Sequence, residues 1–146
     1  MNEQGKTSLF QTKTGMTPSL EDYLEVILFL HQSNGSVRVT DVADGLSVSK
    51  PSVNKAVKGL SELGFVRHEK YGQLYLTEEG EKKAENVASR HRAITRFLSE
   101  CLGVNAEAAE EEACRLEHAM SFSTSELLVK FMNEYKPGGC LQCYER

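Results

Sequence analysis

Three potential metal ligands lie within one helical turn in the last third of the sequence. Cys114, Glu117 and His118 are spaced i, i+3 and i+4, so an α-helix would place them on one face. Thiolate, carboxylate and imidazole together form a borderline-soft donor set that suits Fe(II), Co(II), Ni(II) or Zn(II). The same spacing also fits a small core cysteine, a surface glutamate and a hydrogen-bonded histidine, and it does not decide between these readings.

A metal site at this turn needs further ligands from elsewhere in the fold. Asp22 and Glu25 offer two carboxylates at i, i+3 on a predicted first helix, although the helix dipole also favours acids in a first turn. His91 interrupts the apolar stripe of a long predicted helix, where a buried ligand is expected. The candidate metal ligands are Asp22, Glu25, His91, Cys114, Glu117 and His118.

Composition limits the classes of protein to which the chain can belong. Its 146 residues suffice for one compact domain or two small ones, and 40% hydrophobic with 26% charged residues is typical of a globular protein. The longest apolar run, residues 26–30, is far below the roughly 18 residues of a membrane span. The polar N-terminus has no apolar signal core. We therefore expect a cytoplasmic protein with reduced cysteines and no membrane partner.

The net charge of −4 conceals a gradient along the chain. Residues 36–76 contain six Lys or Arg and four Asp or Glu, which leaves them at +2 and the remainder of the chain at −6. A basic first half and an acidic second half indicate two separate functions.

Apolar spacing and capping residues predict six helices. Thr17 and Pro18 suit the cap and first position of the first helix, and Asn34-Gly35 ends it. A short extended piece at Val37 and Val39 precedes a second helix capped by Thr40. The predicted helices cover about residues 18–34, 41–46, 50–63, 78–101, 106–120 and 121–133.

The region between the third and fourth predicted helices has the pattern of a β-hairpin. Residues 65–69 and 73–76 alternate at period two around Lys70-Tyr71-Gly72. A short helix, a tight turn, a second helix and then a hairpin is the order of a winged helix-turn-helix. This order predicts a DNA-binding domain.

Polar and basic side chains on the outer face of the third helix could supply donors to base edges and phosphates. The hairpin tip would reach the neighbouring DNA backbone. The alternative is a solvated polar face without a partner. The candidate DNA-binding residues are Arg38, Ser49, Lys50, Pro51, Ser52, Asn54, Lys55, Lys58, Lys70 and Tyr71.

A CxxC pair, Cys140 and Cys143, follows Pro137-Gly138-Gly139 near the end of the sequence. Such a pair can hold an extra metal ion or form a redox disulfide, and a flexible tail without a role is the alternative. A thiol-based redox regulator is therefore a rival function.

The sequence resembles the DtxR/MntR family of metal-dependent transcriptional repressors over about residues 17–132. The resemblance rests on TPSLEDYLEVI, VRVTDVADGLSVSKPSVNKAVKGLSELGFV, YGQLYLTEEG and EEACRLEHAMS. It implies a mostly α protein with a small β-hairpin wing, in the short form without the SH3-like domain of longer members. The resemblance implies four segments, namely a flexible N-terminus at 1–16, the winged helix-turn-helix at 17–83, a helical dimerisation and metal-sensing domain at 84–136 and a flexible tail at 137–146.

The resemblance also implies a homodimer that binds a palindromic double-stranded DNA operator when divalent metal is bound. The resemblance places five candidates, namely Asp22, Glu25, His91, Glu117 and His118, on ligand positions of the manganese-responsive branch. Cys114 departs from that branch, which has a carboxylate there. Members of the iron-responsive branch have cysteine at the position of Cys114, and they have methionine in place of Asp22. Of that branch's second metal site His91 is matched, whereas Thr95 and Glu110 stand where Glu and His are expected.

A thiolate disfavours Mn(II) relative to Fe(II) or Zn(II) because Mn(II) is the harder ion. With the oxygen-rich remainder of the ligand set, the expected metal is Fe(II), with Mn(II) second and Zn(II) or Co(II) as further options. No enzymatic activity and no small organic substrate are expected, since a hydrolase built on Glu117 and His118 lacks a substrate-cradling loop. The closest alternative is a metal-independent winged-helix regulator that responds to a small ligand. The predicted dimer face consists of apolar residues between 84 and 120, including Ile94, Phe97, Leu98, Leu102 and Leu116.

Overall fold

A computed structural model describes residues 19–69 and 72–137 of the chain. The chain forms two compact units, residues 1–87 and 88–146. The predictions for the two terminal segments, for the hairpin tip at Lys70 and Tyr71, and for Cys140 and Cys143 fall outside the described residues. Within the described ranges, no helix has the length and apolar character needed to cross a membrane.

The first unit contains three complete helices, three strands and the beginning of a fourth helix. In chain order these are α1 (Leu20–Asn34), β1 (Val37–Arg38), α2 (Val39–Leu46), α3 (Lys50–Glu62), β2 (Val66–His68), β3 (Gln73–Leu76) and α4 (Glu78–Arg96). The predicted order of helix, turn, helix and hairpin is confirmed. The structure therefore has the element order of a winged helix-turn-helix.

Helix α1 begins with a capping box built on Ser19. The Ser19 hydroxyl accepts from the Asp22 backbone N–H at 3.2 Å, and the Asp22 carboxylate accepts from the Ser19 backbone N–H at 2.7 Å. The prediction of Thr17 as the cap is wrong, because the acid that completes a capping box stands three residues after Ser19.

Helix α2 begins two residues earlier than predicted. Its N-cap is Arg38, whose backbone N–H donates to the Asp41 carboxylate at 2.8 Å. Val39 is therefore helical instead of extended, and the prediction of Thr40 as the cap is wrong. Asp41 decides the start because it satisfies a backbone donor that the helix itself leaves unpaired.

The three strands form one antiparallel sheet in the order β1-β3-β2. The predicted hairpin is confirmed, with Val66 opposite Leu76, and β1 adds Val37 opposite Leu74. The start of α4 is tied to the sheet at Phe65, whose carbonyl accepts from the Thr77 N–H at 2.9 Å. A Cβ atom at Gly80 would lie 1.9 Å from that carbonyl oxygen, so only glycine allows this close packing.

The core of the first unit lies between α1, α2, α3 and the sheet. Its largest fully buried side chains come from every one of these elements, which is why the short helices hold their positions. They are Leu24, Ile27, Val26, Val37, Val42, Val53, Val57, Leu60 and Leu74.

The regular elements among the described residues of the second unit are all helices. After α4 come a π-helical segment (Phe97–Cys101), α5 (Ala106–Ala119) and α6 (Phe122–Glu134). Asn105 and Ser121 cap α5 and α6 through their side chains, so Ser121 precedes the last helix, which was predicted to begin at that residue. Because α4 runs without a break through residue 84, the domain boundary drawn there stays a prediction.

The end of the long helix differs from the expected regular α-helix. The Leu102 N–H donates to the Phe97 carbonyl at 3.2 Å, an i to i+5 bond of the π type. Leu98 thereby stays in the core with Ile94, Ala109 and Ala113.

This core position corrects part of the predicted dimer face. Ile94 and Leu98 are only 2% and 7% exposed within a single chain, so they stabilise this unit and cannot contact a partner. Leu102 and Leu116, by contrast, are exposed. Sequence alone could not separate the two groups, because both are apolar residues at helical spacing.

Candidate metal centre and DNA-binding surface

One side of α5 buries two alanines followed by a carboxylate. Ala109, Ala113 and Glu117 lie four residues apart on the buried stripe of this helix. Glu117 is only 2% exposed. Removing a carboxylate from water is costly unless a positive or hydrogen-bonding partner replaces the solvent. The reading of Glu117 as ordinary surface charge is therefore wrong.

The two oxygens of Glu117 have different surroundings. Its Oε2 lies 3.0 Å from Nδ1 of His91, and its Oε1 lies 3.4 Å from Nε2 of His118. Oε1 has no hydrogen-bond partner among the described residues. A buried polar atom in a native fold normally has a partner, and a bound cation would supply one here. This oxygen is the observation that best fits a metal site.

Cys114 completes the cluster with a sulfur donor. Its thiol is free and half-buried, and its Sγ lies 4.0 Å from Nδ1 of His91. The His118 side chain is 30% exposed, so solvent reaches one edge of the cluster. Within the second unit the structure thus brings together His91, Cys114, Glu117 and His118. Their role as ligands stays a prediction, and the mixed N, O and S donor set suits a first-row transition metal.

The opposite edge of the His91 ring contacts Glu110, which in turn contacts Thr95, and neither residue was among the candidate ligands. Its Nε2 lies 2.5 Å from Oε2 of Glu110, and the same oxygen accepts from the Thr95 hydroxyl at 3.1 Å. By sequence alone, Thr95 and Glu110 differ from the residues expected at the second metal site of the iron-responsive branch, and no role was predicted for them. A signal was present, because Thr95 follows His91 by four residues and Glu110 precedes Cys114 by four.

The two acidic candidates on α1 lie in the first unit and differ from each other. Asp22 has the structural role in the capping box, as the alternative reading of a first-turn acid proposed. Burial, and to a smaller extent the charge of Asp22, raises the pKa of the neighbouring Tyr23. Glu25 is buried, at 8% exposure. A glutamate at that depth is not a solvated helix-start acid and requires a charged or polar partner.

The predicted DNA-binding face of α3 is exposed while its other face is buried. Val53, Ala56, Val57 and Leu60 point into the core. The candidates Arg38, Ser49, Lys50, Pro51, Ser52, Asn54, Lys55 and Lys58 are all exposed. The Ser49 hydroxyl caps α3 by accepting from the Ser52 N–H at 3.3 Å. Their contact with DNA stays a prediction.

Arg67 on β2 was not among the candidates. Its exposed guanidinium lies 5.8 Å from the centre of the Tyr75 ring on the neighbouring strand. Pairing of β2 with β3 creates this contact, so no local sequence signal identifies it.

These features define a class of protein. The first unit has the architecture of a winged helix-turn-helix with an exposed, basic helix, and the second carries a buried cluster of metal-ligand types. The combination is that of a DNA-binding regulator with a sensing domain.

Comparison with known proteins supports this class. Residues 15–74 match the N-terminal DNA-binding domain of iron-dependent repressors, and residues 77–139 match the metal-binding and dimerisation domain of the same repressors. An uncharacterised HTH-type transcriptional regulator of Methanocaldococcus jannaschii is 39% identical over 83% of this chain and 98% of its own length. The regulator MntR of Oceanobacillus iheyensis is 36% identical over 82% of this chain and 81% of its own.

A solved structure agrees with these relatives. The manganese regulator SloR is 36% identical, superimposes with a TM-score of 0.71 and is matched over 83% of this chain. The chain spans 56% of the length of SloR. The chain belongs to the iron-dependent repressor family, and it is a metal-dependent transcriptional regulator of the DtxR/MntR type.

Proposed function

We propose that the protein is a repressor that binds a palindromic double-stranded DNA operator as a homodimer when a divalent metal is bound. Fe(II) is the favoured metal, Mn(II) is second, and Zn(II) and Co(II) are further options. The proposed location is the cytoplasm, where the protein would meet its DNA operator. The observation that carries the proposal is the buried Glu117 beside His91, Cys114 and His118, whose Oε1 has no hydrogen-bond partner in the part of the chain that the structure describes.

The proposed ligand set joins these four residues with Asp22 and Glu25. Membership of the family supports the two α1 residues, since they occupy positions that the resemblance assigns to ligands. Asp22 can contribute while it caps α1, because a carboxylate has about four acceptor directions and the cap uses one. When bound, the metal would supply the positive charge that the buried carboxylates need.

The proposed coupling is thermodynamic linkage. Asp22 and Glu25 belong to the same helix that packs on α2 and α3, so their engagement would favour one arrangement of the DNA-binding helices. Metal and operator then each strengthen the binding of the other by the same factor.

A chelator and metal panel tests the function as a whole. Operator binding, measured by fluorescence anisotropy without oxygen, is expected to disappear with chelator and to return with Fe(II) ahead of Mn(II), Co(II), Ni(II) and Zn(II). Operator affinity that is unchanged by the chelator would favour a metal-independent regulator. A strong Mn(II) response without an Fe(II) response would overturn the metal assignment. A double Cys140→Ser, Cys143→Ser variant that loses all binding would favour the thiol-redox alternative.

Replacing Lys55 by alanine is expected to weaken operator binding without changing metal affinity. Lys55 is exposed on α3, and one lost phosphate contact should lower the slope of log affinity against log salt by about 1. The matched control is Lys82→Ala on α4, where the ammonium pairs with Glu78 and Glu79. Equal salt slopes for Lys55→Ala and the wild type would remove Lys55 from the interface.

A further inference from the structure

We propose that Glu110 is a positioning residue for the metal centre, which holds the His91 ring so that Nδ1 faces the other ligands. This inference rests on the proposed function, because it concerns the same cluster. It assigns to Glu110 and Thr95 a role outside the ligand set.

The two nitrogens of His91 face different groups. Nδ1 lies 3.0 Å from Glu117 Oε2 and 4.0 Å from Cys114 Sγ, whereas Nε2 lies 2.5 Å from Glu110 Oε2. An imidazole binds a metal through the nitrogen that carries no proton, and the other nitrogen then carries one. Since the ligand cluster lies at Nδ1, the ring that binds metal has its proton on Nε2 and donates it to Glu110.

Thr95 in turn orients Glu110. Its hydroxyl donates to the same carboxylate oxygen at 3.1 Å, from a position one turn beyond His91 on α4. Glu110 belongs to α5, so the contact spans the two helices that carry the cluster. A histidine ligand that donates its second N–H to a carboxylate is fixed in tautomer and orientation and is a stronger donor.

A second metal ion would be the competing use of these residues. Glu110 Oε2 and Nε2 of His91 lie within hydrogen-bonding distance of each other, at 2.5 Å, so in this arrangement the two groups pair with each other. Threonine is also a poorer ligand than the carboxylate expected at position 95 from the iron-responsive branch. The donor chemistry therefore favours a hydrogen-bonded support over a second site.

The size of the effect follows from the exposure of Glu110. Loss of such a supporting partner generally lowers metal affinity 10- to 100-fold. The Glu110 side chain is 62% exposed. When the carboxylate is removed, water can therefore accept the hydrogen bond from His91 Nε2 in its place. We therefore expect a loss near the lower end, about tenfold.

The test uses the full chain and Zn(II), which is diamagnetic, together with Co(II). In the Zn(II)-loaded wild type, long-range ¹H–¹⁵N spectra should show a protonated Nε2 and a metal-bound Nδ1 at His91. Glu110→Ala should lose the protected Nε2–H signal and bind Co(II) about tenfold more weakly at unchanged stoichiometry. Glu110→Gln keeps an acceptor and should retain the signal with a smaller loss. Thr95→Val should fall between Glu110→Ala and the wild type.

The control is Glu112→Ala, which removes an exposed carboxylate from the same helix and should match the wild type. Wild-type protein that binds neither Zn(II) nor Co(II) overturns the proposed function and this inference with it. Wild-type binding that Glu110→Ala leaves unchanged in affinity and in the His91 spectrum overturns the inference alone. Loss of one of two bound equivalents in Glu110→Ala also overturns it, because Glu110 would then be a ligand.

Discussion

Glu117→Gln is expected to abolish metal-activated operator binding while the protein stays folded. Glutamine fills the same volume between His91 and His118 but carries no charge for a cation. Losing a charged ligand should lower metal affinity by more than the roughly 100-fold upper range for supporting residues. At a metal concentration that saturates the wild-type protein, the operator affinity of Glu117→Gln should therefore equal that of the metal-free protein.

The melting temperature of metal-free Glu117→Gln gives a second test of Glu117 as a metal ligand. In the wild type, Oε1 of Glu117 is buried without a hydrogen-bond partner among the described residues, an arrangement that destabilises the metal-free fold. A neutral amide reduces that cost, so the melting temperature of metal-free Glu117→Gln should equal or exceed that of the wild type. Metal should raise the melting temperature of the wild type and not of the variant.

The matched control is Glu112→Gln, which makes the same chemical change at an exposed position of α5. It should keep metal response and melting temperature unchanged. A Glu117→Gln protein that still required metal for operator binding would show that the cation binds elsewhere. A variant that melted far below the wild type would show that Glu117 is structural.

The elements that position the site were largely predictable because their signals are local. Ser49 before Lys50-Pro51, Asn105 and Ser121 each mark a helix start, and the structure begins α3, α5 and α6 there. The prediction of Thr17 as the cap of α1 was wrong because a second residue with a hydroxyl group, Ser19, follows two positions later. Only the pairing of Ser19 with an acid at its third following position distinguishes the true cap.

The depth of each candidate ligand was less accessible from sequence. Helical spacing placed Cys114, Glu117 and His118 on one side of α5, but it could not say that Glu117 would be buried and His118 partly exposed. The signal was the preceding alanine pair, Ala109 and Ala113, which continues the same stripe to Glu117. Small residues there let the neighbouring helix approach closely and enclose the carboxylate.

Contacts between helices lay beyond the reach of the sequence. Glu110 and His91 are 19 residues apart, and their meeting depends on how α4 and α5 pack. The π-helical segment between them also shifts the register of the turn that joins the two helices. No local propensity predicts that shift, so the spacing places Glu110 one turn before Cys114 but does not predict its contact with His91.

Cys114→Glu is expected to change which metal activates the protein. The wild-type cluster has one sulfur, Cys114 Sγ, at 4.0 Å from Nδ1 of His91, and sulfur ligation favours Fe(II) or Zn(II) over the harder Mn(II). A carboxylate at this position restores the residue type that the resemblance assigns to the manganese-responsive branch. Mn(II) affinity should rise at least tenfold relative to that for Co(II), a ratio that corresponds to about 1.4 kcal/mol.

The measurement pairs metal titration with the spectrum of the Co(II) complex. Wild-type protein should show a near-ultraviolet sulfur-to-cobalt charge-transfer band, which Cys114→Glu and Cys114→Ser should both lack. Cys114→Ser is the matched control, since it removes the sulfur without adding a charge and should weaken all metals with no gain for Mn(II). Cys101→Ser, at the other free cysteine in the described chain, should keep the band. A wild-type complex without the band would exclude Cys114 from the ligand set, and the choice between Fe(II) and Mn(II) would then rest on the oxygen and nitrogen ligands alone.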